Sequence, residues 1–282
     1  MAKKLALAVS HDRRTRAIGS HRPRRRFGQH FLVDVAYVSR IVAAINPAAD
    51  DLLVEIGPGL GALTAPLIEL LRKLHAVEID RDLAAQLRLR YEPDRLVVHQ
   101  ADALEFDFSS LGPSLRVVGN LPYNISSPLL FRIAEIATCI RDCHFMLQKE
   151  VVDRMVARPG SRTYGRLSVM LQYRFATQKL FDVPAGAFRP RPQVDSAVVR
   201  LTPEATRTLV ASSEKVFAEV VARAFSQRRK TLRNAIGDLA TADEIAALGI
   251  DPQLRPERLS VDDFVRLADA VAANSTGSRP SM

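Results

Sequence analysis

Apolar residues in this chain fall in short runs that alternate with longer stretches of helical spacing. Runs near 52–56, 74–79, 96–99, 115–119 and 143–148 are bounded by Gly, Pro, Asp or Asn and read as buried strands. Between them, apolar positions recur at intervals of three and four near 35–45, 60–72, 82–91, 127–137 and 149–157, as in helices with one buried face. Strands that alternate with helices require crossover connections, so the pattern predicts an α/β fold, a parallel sheet covered by helices on both faces. Two further segments, 176–183 and 195–201, flank a Pro-rich stretch around Phe188 and read as a closing pair of strands. After Thr202-Pro203 the strand-like runs stop, and helical spacing takes over in Val216, Val220, Val221 and Ala224 and in Phe264, Leu267, Ala268 and Val271. The expected organisation is a basic arm over 1–25, an α/β unit over 26–203, a small all-helical domain over 204–272 and a flexible tail over 273–282. At 282 residues and 47% apolar, the chain is long enough to bury one large core and a smaller one.

Four of the predicted strands end in, or are followed by, residues that carry chemistry. The first is followed by Gly57-Pro-Gly59-Leu-Gly61, and glycines between a strand and a helix let backbone approach a ligand closely. The spacing is Gly-x-Gly-x-Gly and departs from the Gly-x-Gly-x-x-Gly dinucleotide fingerprint, which disfavours a nicotinamide or flavin enzyme. The next strand ends in Glu78 and Asp80, and an acid there can accept hydrogen bonds from both ribose hydroxyls; the third is followed by Asp102, placed near an adenine edge. Taken singly, each acid is more often a solvated loop residue or helix cap; the ordered series of strand, loop, strand, acid, strand, acid favours a nucleotide-like ligand.

The fourth strand runs into Asn120-Leu121-Pro122-Tyr123. An amino nitrogen on an adenine ring has its lone pair delocalised, and two acceptors for its N–H groups would favour a pyramidal nitrogen and free that pair. The side-chain oxygen of Asn120 and the carbonyl of Leu121 are the candidate acceptors. Pro122 stiffens the turn and holds Leu121 extended. Tyr123 offers a ring on which an unpaired base can stack. On its own the tetrapeptide also reads as a strand-ending turn with a surface tyrosine. Paired with the glycine loop it points to N-methylation from S-adenosylmethionine. That chemistry needs neither metal nor general base, because the attacked nitrogen becomes a cation that loses its proton readily.

Charge changes the picture at both ends of the chain. Lys and Arg exceed Asp and Glu by 40 to 31, but nine of the basic residues and only Asp12 among the acids lie in the first 26 positions. The remainder is almost neutral, so a nucleic-acid surface has to come from local clustering. One cluster is Arg223, Arg228, Arg229, Lys230 and Arg233; Arg189 and Arg191 beside Phe188 form a smaller one. The Arg-rich arm has the composition of an organellar transit peptide, but it suits equally an arm that condenses on RNA, which is the reading favoured here. No apolar run is long enough for a membrane span. Cys139 and Cys143 lack the companions of a metal site and read as reduced thiols of a cytoplasmic protein.

Seven stretches together resemble the small-subunit ribosomal RNA adenine N6,N6-dimethyltransferase family, over about Arg24 to Leu267. They are Arg26-Phe-Gly-Gln-His-Phe-Leu32, Val54-Glu-Ile-Gly-Pro-Gly-Leu-Gly61, Val118-Gly-Asn-Leu-Pro-Tyr-Asn-Ile-Ser126, Met146-Leu-Gln-Lys-Glu150, Tyr164-Gly-Arg-Leu-Ser-Val169, Phe188-Arg-Pro-Arg-Pro-Gln-Val-Asp-Ser196 and Gln227-Arg-Arg-Lys-Thr-Leu232. The resemblance implies a Rossmann-like sheet of seven strands with the last antiparallel, and transfer of four methyls in all, two to each of two adjacent adenosines near the 3′ end of small-subunit rRNA. It implies a donor site of His30, Leu32, Gly57, Gly59, Glu78, Asp102 and Asn120, with His30 standing where many relatives have Asn, and Gln29 near the entrance. It implies that Phe188 faces the target base opposite Tyr123, whereas on its residue type alone Phe188 serves as well as a core plug under a Pro-rich loop. The basic cluster within Gln227 to Leu232 is implied to contact phosphates of the rRNA or of a partly assembled small subunit, with the enzyme a monomer. Two alternatives share parts of the pattern: an antibiotic-resistance enzyme that dimethylates a large-subunit rRNA adenine, and a non-catalytic RNA-binding factor for ribosome assembly or transcription.

Overall fold

The computed structural model describes residues 29–204, 209–227 and 229–276; the basic arm of residues 1–25, Arg228 and the last residues of the tail lie outside them. The parallel strands are β2 (Leu53–Ile56), β3 (Leu74–Glu78), β4 (Leu96–Gln100), β5 (Leu115–Asn120) and β6 (Ile140–Gln148). Two later strands, β7 (Phe175–Val183) and β9 (Ser196–Pro203), complete a seven-stranded sheet in the order β4-β3-β2-β5-β6-β9-β7. β9 runs antiparallel to both β6 and β7, so the last strand is the reversed one, as the resemblance implies. A separate two-stranded ladder, β1 (Phe31–Leu32) with β8 (Phe188–Arg189), is too short to register as periodicity in the sequence.

Helices α1 (Val35–Ile45), α2 (Thr64–Leu70), α3 (Arg81–Arg90), α4 (Ser126–Glu135) and α5 (Lys149–Met155) fall within a few residues of the predicted stretches. Their starts are written in local chemistry. Asp34 caps α1 by accepting from the Ala36 and Tyr37 N–H groups, and Asp80 caps α3 by accepting from Asp82. α2 begins later than expected from Leu60, because Gly57, Gly59 and Gly61 all have positive φ and hold 57–63 as a loop. β6 begins earlier than expected, at Ile140, because its polar residues Arg141 and Asp142 pair across the foot of the sheet.

That foot is an ion cluster. Arg116, 4% exposed within the apolar run of β5, donates to Asp51 and Asp142 and to the Ile45 and Asn46 carbonyls at the end of α1. Above it, β2 and β5 lie so close at Gly119 that a Cβ there would sit 2.5 Å from the Ile56 carbonyl oxygen.

Past β9 the chain is helical: α7 (Glu214–Ala224), α8 (Leu232–Ala235), α9 (Ala242–Ala247) and α10 (Val261–Thr276). α10 continues past residue 273, where the sequence pattern places the start of the tail. α6 (Arg166–Gln172), which periodicity did not single out, joins the two regions: Val169 and Tyr173 belong to one buried cluster with Phe217, Val220, Val221, Phe264 and Leu267.

Candidate functional site

The carboxyl ends of β2, β3, β4 and β5 open into one cleft, at the point where the sheet order reverses between β2 and β5. Such crevices are where open α/β sheets bind ligands. It holds about 950 Å³ of empty space. Its lining brings together Gln29, His30, Leu32, Gly57, Gly59, Glu78, Asp102, Asn120, Leu121, Pro122 and Tyr123, residues that are spread over nearly a hundred positions of sequence.

The glycine loop and the acid at the end of β3 are tied to one another. Glu78, 4% exposed, accepts from the Gly59 N–H through Oε2 at 3.1 Å and from the Asp80 N–H through Oε1 at 2.9 Å. Burial pushes its carboxyl pKa up. A carboxylate offers about four lone-pair sites, more than these contacts use, so it can still receive a hydroxyl from the cleft. Gly59 adopts φ 57°, and a Cβ there would meet the Phe31 ring at 3.0 Å, so any side chain would be strained in its backbone and would press on that ring. Asp102 turns its Oδ1 to the Leu104 N–H at 2.9 Å.

Two cleft residues escaped sequence reasoning. Glu55, within β2, is buried and accepts from Thr64 Oγ1 at 2.6 Å; burial raises its pKa to about 7 despite that bond, with the Glu78 charge adding to the rise. A carboxylate inside an otherwise apolar strand was the available signal. Ile79, 46% exposed between Glu78 and Asp80, presents an apolar wall to the cleft.

On the β5 side, Asn120 Nδ2 donates to the His30 carbonyl at 2.9 Å. Only the amide nitrogen can donate to a carbonyl, so the contact turns the side-chain oxygen away from His30. Leu121 is buried and its N–H is bound to the Met146 carbonyl. The Pro122 carbonyl accepts from the Ile125 N–H and from Ser126 Oγ, which ties the turn into the start of α4. Tyr123 is half-buried, with its hydroxyl on Ser196 and its ring against His30.

Phe188 requires a correction. It does not face the cleft opposite Tyr123; its ring is fully buried in a cluster with Leu32, Val183, Ala187 and Val198, and its backbone pairs with Leu32. An apolar ring next to a strand pair gains more from core burial than from an open rim. The neighbouring Arg189 and Arg191 are exposed.

In the helical region Arg229, Lys230 and Arg233 are exposed around the start of α8. Arg223 is different: Asp238 pairs with it, a partner ten residues beyond the predicted cluster's centre that only the fold brings near. Arg229 also lines a second, wider cleft, with Arg154, Arg162, Arg166, Arg255 and Arg258 around it. Among the described residues there is no cluster of three or more His, Cys, Asp or Glu able to hold a metal, and no helix long and apolar enough to cross a membrane.

Residues 20–273 match the family described as ribosomal RNA adenine dimethylase. The chain belongs to that family. Curated members named ribosomal RNA small subunit methyltransferase A share 57% identity with it in Aromatoleum aromaticum, over 92% of this chain and 97% of theirs, and 60% in Thiobacillus denitrificans, over 86% and 96%. Among solved structures, a dimethyladenosine transferase from Plasmodium falciparum superposes with a TM-score of 0.73 at 26% identity, covering 84% of this chain and 96% of that one. The 23S rRNA methyltransferase ErmE superposes at 0.68 with 25% identity, covering 86% and 99%. The fold of the dimethylase family is therefore common to enzymes of both ribosomal subunits, and the high identities lie with the small-subunit members.

Proposed function

We propose that this chain transfers methyl groups from S-adenosylmethionine to N6 of two adjacent adenosines near the 3′ end of small-subunit rRNA, two to each. The observation that carries the reading is the orientation of Asn120, whose amide nitrogen is spent on the His30 carbonyl and whose oxygen is left for an amino group. It stands at the rim of the same cleft as the glycine loop and Glu78. Identities of 57% and 60% to small-subunit methyltransferases, against 25% to ErmE, favour the small-subunit substrate over the large. The same residues count against a non-catalytic binding factor, which would have no use for a positive-φ glycine at position 59 or a buried acid at Glu78.

The cleft fits the donor on its own terms: close backbone approach at Gly57 and Gly59, a buried acceptor at Glu78, and apolar walls at Leu32 and Ile79. When bound, the donor supplies a methyl on a positively charged sulfur. Glu78 would hold ribose hydroxyls, and Asp102 and the backbone near His30 and Leu32 the rest of the nucleoside. Asn120 Oδ1 and the Leu121 carbonyl would accept the two N–H groups of the target amine and draw its lone pair out of conjugation. Tyr123 would hold the base by stacking. Exposed Arg189, Arg191, Arg229, Lys230 and Arg233 would grip phosphates of the rRNA or of a partly assembled subunit, with the enzyme acting as a monomer. The thiols Cys139 and Cys143 suit a reducing, cytoplasmic setting.

Primer extension on small-subunit rRNA from cells lacking the gene tests the reading directly: the stops at the two modified adenosines should vanish and return on complementation. Persistence of both stops in the deletion strain would overturn it. Calorimetry tests the donor half, since Gly59→Val fills the space against Phe31 and should abolish measurable S-adenosylmethionine binding while the chain stays folded.

A further inference from the structure

Tyr123 is held at two points. Its hydroxyl lies 2.8 Å from Ser196 Oγ, and its ring stacks on the His30 imidazole with centroids 5.5 Å apart and planes 27° from parallel. Both holders are themselves fixed. Ser196 is fully buried, and its backbone is paired on one side with Gln148 of β6 and on the other with Val183 of β7. His30 Nδ1 lies 2.8 Å from the Pro190 carbonyl oxygen, and since a carbonyl only accepts, Nδ1 carries the proton. The carbonyl of the same His30 holds the Asn120 amide. One residue thus touches both the proposed stacking ring and the proposed amine acceptor.

We propose that Ser196 and His30 are positioning residues that preset the Tyr123 ring for the target base. The inference rests on the reading of Tyr123 as the stacking platform. A tyrosine ring free to turn about its side-chain bonds would have to be ordered each time a base arrives, and that ordering cost would come off the binding of the base. Here the tip is pinned to the first residue of the central strand of a three-strand ladder and one face is covered by the imidazole, so the base stacks on the other face. Phe188, buried in the core, does not supply this orientation; the polar anchor does. The two positions differ in kind: Ser196 acts through one hydrogen bond, His30 through a flat ring that its bond to Pro190 keeps edge-fixed.

Single-turnover methylation of small-subunit rRNA at saturating S-adenosylmethionine separates these contributions. Ser196→Ala and Tyr123→Phe delete the same hydrogen bond from opposite ends. Each should lower the rate about three- to tenfold, as loss of a net neutral hydrogen bond does, and the double variant should be no slower than the slower single. Donor affinity by calorimetry and the thermal midpoint should stay near the parental values for Tyr123→Phe, which removes no buried packing. His30→Ala should be slowed by a similar factor, and His30→Phe, which keeps a flat ring, should recover most of the rate. A parental rate for Ser196→Ala, or independent multiplication of the two defects, would overturn the anchor. A His30→Ala defect that disappears at saturating donor would assign His30 to donor binding alone and overturn its positioning role. A parental chain with no activity on the RNA would remove the methyltransferase reading itself, and this role with it.

Discussion

Asn120 and Glu55 show how much a single side chain depends on what the fold places beside it. Residue type alone offers Asn120 as a candidate amine acceptor, but which end of its amide faces the cleft was decided by the His30 carbonyl, ninety residues away. Asn120→Ala removes the acceptor proposed to act as the amine pyramidalises, so it should lower the single-turnover methylation rate by about 10² to 10³ with little change in RNA affinity; near-normal turnover would sink the proposed chemistry. Glu55 makes a prediction about stability and pH. Burial lifts its pKa from 4.5 to about 7 in the folded chain, so the fold binds this proton more tightly than the unfolded chain does. Its contribution is fully present below about pH 4.5 and is lost as pH rises through 7, at a cost on the order of 3 kcal/mol. Glu55→Gln, neutral at every pH, should therefore flatten much of the fall in urea-unfolding stability between pH 5 and pH 8; the raised Glu78 pKa leaves a residual slope of the same sign. An unchanged pH profile in Glu55→Gln would show that Glu55 titrates normally.

The elements follow from pattern where packing is repetitive and from tertiary contact where it is not. α1 spans the predicted 35–45, because Asp34 caps it and Ile41, Val42 and Ile45 fall on one face. α2 is shorter than its apolar spacing because three positive-φ glycines precede it, and a hydrophobic pattern does not report backbone sign. β5 contains the converse case, since Arg116 interrupts an apolar run without breaking the strand. Its charge is balanced by Asp51 and Asp142 at the foot of the sheet. Arg116→Ala leaves Asp142 and two helix-end carbonyls without their guanidinium donor and Asp51 with only Arg141 and the Ala48 N–H, and should destabilise the chain by about 3 to 5 kcal/mol in denaturant titration. A loss under about 1 kcal/mol would mean that water replaces the guanidinium.

At the scale of the molecule, the catalytic sheet and the helices beyond Glu204 share a buried cluster through α6, so the groove between them has walls from both. The cations there are not equivalent. Arg229 and Lys230 are exposed, whereas Arg223 is matched by Asp238. Replacing Arg229 and Lys230 by Ala should weaken rRNA binding and flatten the log-affinity against log-salt slope by about 0.7 to 0.9 for each phosphate no longer neutralised. Arg223→Ala should change the slope less, because its charge is already compensated. Equal slopes for the parent and the Arg229→Ala/Lys230→Ala variant would make that face an ordinary solvated one and move the search for the RNA grip to the other Arg residues of the groove.

Alternation of apolar runs with helical spacing determined the α/β architecture, and the glycine loop, the acids after two strands and Asn120 to Tyr123 located the cleft, because each depends on residue type at a strand end. Short-range pattern carries that much. The reversed strand β9, the β1–β8 ladder and α6 as a bridge to the C-terminal helices depend on contacts between distant segments. So does every orientation in the site: Asn120 turned by His30, Tyr123 anchored by Ser196, Arg223 neutralised by Asp238. Phe188 marks the boundary most plainly. Its residue type suits a stacking wall and a core plug equally, and only the packing of Leu32, Val183 and Val198 around it made it the plug. Where a side chain's free energy is set by neighbours far along the chain, local sequence leaves its role open and the tertiary structure decides.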